Sequence, residues 1–174
     1  MNARRISGTE IAIVDAFIAL ALEQRYTTIR VADLVTRAGV GKSTFYEHFR
    51  SKDDVLLAAM QPILLALATA ASGRAARSYV RDIVAHLWER RSIGRSIMDS
   101  MAAPIIHRRL AEAIATHGLV ADVAASVPIS AIGIAAAQLA MLRYWLVGHA
   151  TVTVDAMADQ LIACSRLRDA DRHL

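Results

Sequence analysis

Between Arg30 and Phe49 the chain reads RVADLVTRAGVGKSTFYEHF, two short stretches of helical periodicity parted by Gly39-Val40-Gly41. Val31, Leu34, Val35 and Ala38 recur at three- and four-residue steps, so a helix there presents one apolar face. Gly39 ends it, because a reversal at that point favours a residue that tolerates positive φ. A second helix follows in which Phe45 and Phe49, four apart, form the buried side. Lys42, Ser43, Thr44, Tyr46 and His48 are left for the rest of its surface, and they are mostly donors of the kind that meet phosphate oxygens and base edges. The pattern is that of a helix-turn-helix.

The remaining composition agrees with an all-α chain. Hydrophobic residues make up 55% of the 174 and charged residues 21%, which argues against disorder. Proline and glycine are sparse, and no long stretch alternates polar with apolar residues. The formal charge of +4 is uneven: residues 1–52 hold eight Lys/Arg against five Asp/Glu, and the excess nearly vanishes afterwards. The positive charge therefore sits with the helix-turn-helix, where an anionic partner would meet it. The single cysteine, Cys164, permits no internal disulfide and fits a reducing compartment. The N-terminus MNARRISGTE has no apolar core of a secretory signal.

Taken in order, Met1 to Ile6 is a basic arm carrying Arg4 and Arg5, either solvated or reaching toward DNA. Ser7 and Glu10 form a capping box that starts a helix over 8–23. Its expected buried stripe is Ile11, Val14, Ile18 and Leu22, widened by Phe17 and Ala21, with Glu10 and Asp15 on the wetter side. Thr27 and Thr28 can cap the next helix or reach phosphate. After the two-helix motif, Ser51 caps a further helix whose first turn holds Asp53 and Asp54, and Lys52 beside that end could hold a phosphate. This helix is expected from Asp53 to about Ala70, bent near Pro62.

The rest reads as helices only: Ala75 to about Arg91 with Tyr79, Ile83 and Leu87 inward; Ser92 to Met101; Pro104 to near Gly118; a connection over Leu119–Val127; Pro128 to about Gly148; and Thr153 to Arg168. Val55–Gly73 and Val123–Leu142 lack charges and are long enough to raise the possibility of membrane spans. Buried helices of a bundle are the favoured alternative, since Pro62 and Pro128 interrupt the runs, Gln61 and Gln138 lie within them, and alanine drives insertion weakly. No metal-ligand spacing, phosphate-binding glycine loop or nucleophile elbow is present, so no catalytic or metal site and no cofactor is expected.

The block IRVADLVTRAGVGKSTFYEHFRSKDDVL, Ile29 to Leu56, resembles the N-terminal domain of TetR-family transcriptional regulators: an apolar helix, an AGV turn, a small polar run, Thr-Phe-Tyr, a His-Phe pair and a Lys-Asp entry to the next helix. The resemblance covers roughly residues 7–60. It implies a three-helix DNA-binding domain over 1–52 and a helical ligand-binding and dimerisation domain over 53–174. It further implies that Gly41, Lys42, Ser43, Thr44, Tyr46 and His48 face DNA, with Tyr46, His48 and Lys52 toward phosphates. Two positions depart from the family pattern. Arg30 stands where threonine is common, so that the cap comes from Thr28 or is lost and Arg30 itself can take a phosphate, and Arg25 stands where glycine is frequent.

The resemblance also implies a cytoplasmic homodimer formed through the last two helices, a palindromic double-stranded operator, and release of a repressor by a small apolar ligand. Candidate pocket residues are Trp88, Met98, Met101, Ile105, His107 and Tyr144, each of which could equally be plain core. The competing readings are a membrane-associated helical protein and a DNA-binding regulator that answers to a protein partner.

Overall fold

The computed structural model describes residues 7–118 and 127–164. The basic arm Met1–Ile6, most of the connection Leu119–Val127 and the end of the last expected helix lie outside them. All regular structure among the described residues is helical, in two compact units, Met1–Gln61 and Pro62–Leu174.

The first unit opens with α1 (Gly8–Glu23). Both halves of its capping box form: the Glu10 amide donates to Ser7 Oγ at 3.1 Å, and the Ser7 amide donates to the Glu10 carboxylate at 3.0 Å. The buried face keeps Phe17 and Ala21, as expected, but is rotated away from Ile11, Ile18 and Leu22. Ile13, Ala16, Phe17, Leu20 and Ala21 are buried, whereas Ile11 is 50% exposed, Ile18 39% and Leu22 61%. Because α1 is apolar almost all round, periodicity offers two stripes and cannot choose between them. The stripe that carries Phe17 wins, and the Phe17 ring meets the Tyr26 ring edge-on with centroids 6.2 Å apart. Glu10 is likewise half-buried, not on the wet side.

A short 3-10 turn (Tyr26–Thr28) leads to α2 (Val31–Ala38), α3 (Lys42–His48) and α4 (Lys52–Ala59). α2 and α4 both pack on α1, and α3 follows α2 through the glycine turn. Gly39 closes α2 at φ 67°, the left-handed conformation the sequence called for. Ser51 caps α4 by accepting from the Asp54 amide. The continuous bent helix expected beyond Ser51 is instead broken at Met60. α5 (Gln61–Ala71) restarts with Pro62 in its first turn, where the missing N–H costs nothing, while continuation of α4 through that ring would clash with the preceding turn.

The second unit continues with α6 (Arg77–Glu89), α7 (Arg91–Met98), α8 (Ala103–Gly118), α9 (Ile129–Val147) and α10 (Val154–Ala163). α8 and α7 pack on α9, and α10 packs on α6. α6 starts later than expected and buries Val80 and Val84, leaving Tyr79 exposed. α7 lies close against α9 at Gly94, where an added Cβ would stand 3.0 Å from Leu146 Cδ1 and Leu146 would have to shift by a few tenths of an ångström. Arg77 binds Asp159 and Asp155, and Arg81 binds Asp155, along the outside of the α6–α10 pair.

At the centre Gln138 is fully buried, and its amide donates to the carbonyls of Leu67 (3.0 Å) and Leu161 (3.3 Å), joining α9 to α5 and α10. α9 is long and apolar enough, by length and composition, to cross a membrane; the uncharged run 55–73 is divided between α4 and α5.

The face assignment of α1 can be tested directly. Ile13→Ala should destabilise the protein by about 2–5 kcal/mol through an unfilled cavity. Leu22→Ala should change stability by no more than about 0.5 kcal/mol. Chemical denaturation of both variants checks the contrast; equal losses would place the buried stripe elsewhere.

Candidate nucleic-acid interface

α3 is held from one side. Phe45 is completely buried, Phe49 nearly so, and their ring centroids are 6.0 Å apart. The opposite side is bare: Lys42, Ser43, Tyr46 and Glu47 are exposed, and Thr44 is half-buried. Tyr46 stands edge-on against Phe45, centroids 5.3 Å apart, with half of its surface still in water. Gly41 precedes the helix in an ordinary extended conformation, and a Cβ there would meet Thr44 Oγ1 and Ser43 Oγ only at 3.7 and 3.8 Å. The backbone therefore does not require glycine at this point.

His48 is placed differently from its neighbours. It is half-buried and turned back toward α1, with Nδ1 3.5 Å from the Glu10 carboxylate. Glu10 thus contributes to the α1 cap and to the back of α3 at once.

The approach to α2 shows how the chain manages its two departures. α1 ends by passing straight into extended backbone at Gln24 and Arg25, with no positive φ, so a glycine at Arg25 is not needed. Thr28 does not cap α2. Its hydroxyl donates to the Arg25 carbonyl at 2.7 Å, with Gln24 Oε1 an alternative acceptor at 3.1 Å. Arg30 is the residue before the helix and has no acceptor to offer. Asp33 supplies half a cap by accepting from the Arg30 amide at 2.8 Å. The Arg30 guanidinium lies on an exposed residue beside the motif.

The placement of Lys52 differs from a phosphate-facing position. Its ammonium donates to the carbonyls of Tyr26 (3.1 Å) and Ile29 (3.0 Å) and lies 4.5 Å from the centroid of the Tyr26 ring. The Tyr26 hydroxyl in turn donates to the Asp53 carboxylate. Burial, with the Asp53 bond second, holds the Tyr26 phenol well above the ordinary tyrosine range. A second tie unseen in the sequence joins α1 to α2: the Arg37 guanidinium binds both oxygens of Glu23, at 2.9 and 2.6 Å, and these bonds hold the Glu23 carboxyl below its usual range.

The candidate pocket residues do not converge. Met98 and His107 line an open groove of about 420 Å³ between α8 and α9, together with Ala103, Pro104, Ile106, Ala136, Leu139, Ala140 and Arg143. Trp88 stacks on Trp145 instead, centroids 4.6 Å apart, and Ile105 is half-buried outside the groove lining. Met101 is 88% exposed and Tyr144 61%. Arg143 at the groove's edge also binds Asp99, at 2.9 Å.

A short helix pinned by two phenylalanines, preceded by a left-handed glycine turn and presenting Lys, Ser and Tyr outward, has the arrangement of the second helix of a helix-turn-helix. Residues 13–59 match the family described as bacterial regulatory proteins, tetR family. An HTH-type transcriptional regulator of Bacillus subtilis, YwcC, is 41% identical over 46 residues, a match spanning 26% of this chain and 21% of the relative's length. Similarity of fold extends much further. A TetR transcriptional regulator from Streptococcus agalactiae (22% identity, TM-score 0.56) covers 93% of this chain and 96% of its own. The dihydroxyacetone kinase operon activator DhaS (15%, 0.53) covers 92% and 96%, and a TetR transcriptional regulator from Rhodococcus sp. RHA1 (16%, 0.56) covers 91% and 94%.

The Tyr26 environment makes a prediction about pH. Its folded pKa lies above the ordinary value of 10.0 expected in the unfolded chain. The associated stability is therefore complete below about pH 10 and declines as pH rises toward the folded value. Tyr26→Phe should flatten the fall in stability between pH 9.5 and 11 (roughly the range around the free phenol). Denaturation midpoints across that range provide the check.

Proposed function

We propose that this protein is a cytoplasmic homodimeric repressor that binds a palindromic operator through α3 and is released by a small apolar molecule. The observation that carries the DNA-binding part is the division of α3 into a buried phenylalanine side and a bare side of Gly41, Lys42, Ser43, Thr44 and Tyr46. Lys42 and Tyr46 would meet phosphates, Ser43 and Thr44 base edges, and the guanidinium of Arg30 and the Thr28 hydroxyl would flank the groove. His48 would act from the edge of this surface, next to Glu10.

Dimerisation finds support in α9. Ile129, Ile132, Gly133, Ala136, Ala140 and Tyr144 follow one another at helical spacing and are exposed, an apolar stripe along a helix whose other side is core. The last two helices would pair with those of a second copy, and two α3 helices would then enter successive major grooves about 34–36 Å apart. Ala136 and Ala140 also line the α8–α9 groove, so the same stripe borders the space in which a small apolar molecule would sit. Such a ligand acts only by binding one arrangement of the dimer better than the other. Its openness to solvent favours, as a second reading, a protein segment in that groove in place of a small molecule. Thermal shift against an apolar library, compared with binding of helical peptides, separates the two. Occupancy of the operator would block transcription; a reporter silenced by the protein agrees, and one stimulated by it reverses the sign.

Two substitutions test the surface. Lys42→Ala should weaken binding to all duplexes and lower the slope of log affinity against log salt by about 0.9, one released counterion. Thr44→Ala should change preference at one base position by about 1–3 kcal/mol. Fluorescence anisotropy over a salt series and a set of single-base operator variants measures both. Parent-like behaviour of the two together would remove α3 from the interface.

A further inference from the structure

Lys52 opens α4, and its ammonium is already engaged: two of its three donors go to the Tyr26 and Ile29 carbonyls, and the Tyr26 ring lies beneath it. A second link runs in the opposite sense, from the Tyr26 hydroxyl to Asp53. Both links join the same two segments, the turn over 26–29 and the first turn of α4. The first segment leads directly into α2, and the second follows directly on α3 through Phe49, Arg50 and Ser51. The whole helix-turn-helix is therefore a loop of chain whose entrance and exit are clasped together.

The charges around Lys52 point the same way. Asp53 and Asp54 stand in the same turn, and their carboxylates accept from the Tyr26 hydroxyl and the Arg50 amide. A lysine that left for a phosphate would surrender two charge-assisted bonds and a ring contact. Lys42, by contrast, is exposed on α3.

We propose that Lys52 is a positioning residue: with Tyr26 and Asp53 it clasps the ends of the helix-turn-helix and so sets the angle at which α3 is presented, without neutralising a phosphate itself. This rests on the DNA-binding reading above. Lys52 then contributes to affinity through geometry, and its removal lowers affinity without releasing fewer counterions.

The test uses the full chain and a duplex selected for binding to it. Affinity is measured over a salt series for the parent, Lys52→Met, Tyr26→Phe and the double variant, at a temperature where circular dichroism shows each folded, with Lys42→Ala as comparator. The clasp predicts that Lys52→Met binds about tenfold more weakly, the scale of losing one charge-assisted pair, with the parent's salt slope. It also predicts that the losses of the two single variants overlap in the double variant. A slope lowered by about 0.9 in Lys52→Met, as in Lys42→Ala, would make Lys52 a phosphate ligand and overturn the proposal. Parent-like affinity in Lys52→Met would overturn it too. Should Lys52→Met not fold, Tyr26→Phe decides: weaker binding at unchanged slope supports the clasp, and parent-like binding refutes it. A parent chain that binds no duplex at all would instead sink the DNA-binding reading, a failure visible before any variant is made.

Discussion

A helix of seven residues is too short to persist by itself in water, so α3 exists because something outside it holds it in place. That hold is the burial of Phe45, with Phe49 beside it, in the interior of the first unit. Everything asked of the outer face of α3 depends on this one-sided anchoring. The phenylalanines fix the rotation of the helix about its axis, and that rotation puts Lys42, Ser43 and Tyr46 outward and turns His48 back toward Glu10. The left-handed Gly39 sets the direction of entry. The Arg37–Glu23 pair and the Lys52–Tyr26–Asp53 clasp then tie α2 to α1 and α4 to the turn before α2.

Much of this was legible from local sequence. Caps are local by nature: Ser7 with Glu10, Gly39 and Ser51 act within four residues of themselves, and each does in the structure what its neighbours in the chain imply. The phenylalanine spacing gave the inner side of α3 for the same reason. Long-range ties were not legible. Lys52 meets carbonyls 26 and 23 residues away, and Arg37 meets a carboxylate 14 residues away. A lysine next to two aspartates at a helix start carries no mark of which of its possible partners it will take. The face of α1 is legible only in part, at Phe17 and Ala21, for a different reason: a helix that is apolar nearly all round has little pattern to read, and only the partner surface selects Ile13 over Ile18.

The second unit shows the same limit more severely. Its helices are rich in alanine, and α9 is apolar on nearly every side, so spacing identifies the helices but not what each side meets. Burial divides α9 into a core side with Ile134, Gln138, Leu142 and Trp145 and an open stripe. The candidate pocket residues scatter between a stacked tryptophan pair, the α8–α9 groove and open surface. Residue type cannot place a pocket; the packing of helices far apart in sequence does.

The central claim is that α3 reads DNA, and selection of bound duplexes from a random library tests it most directly. The account predicts enrichment of a palindrome whose half-site centres are about one helical turn apart or a multiple of it. Recovery of duplexes indistinguishable from the input, with a folded and dimeric protein in the assay, would contradict it.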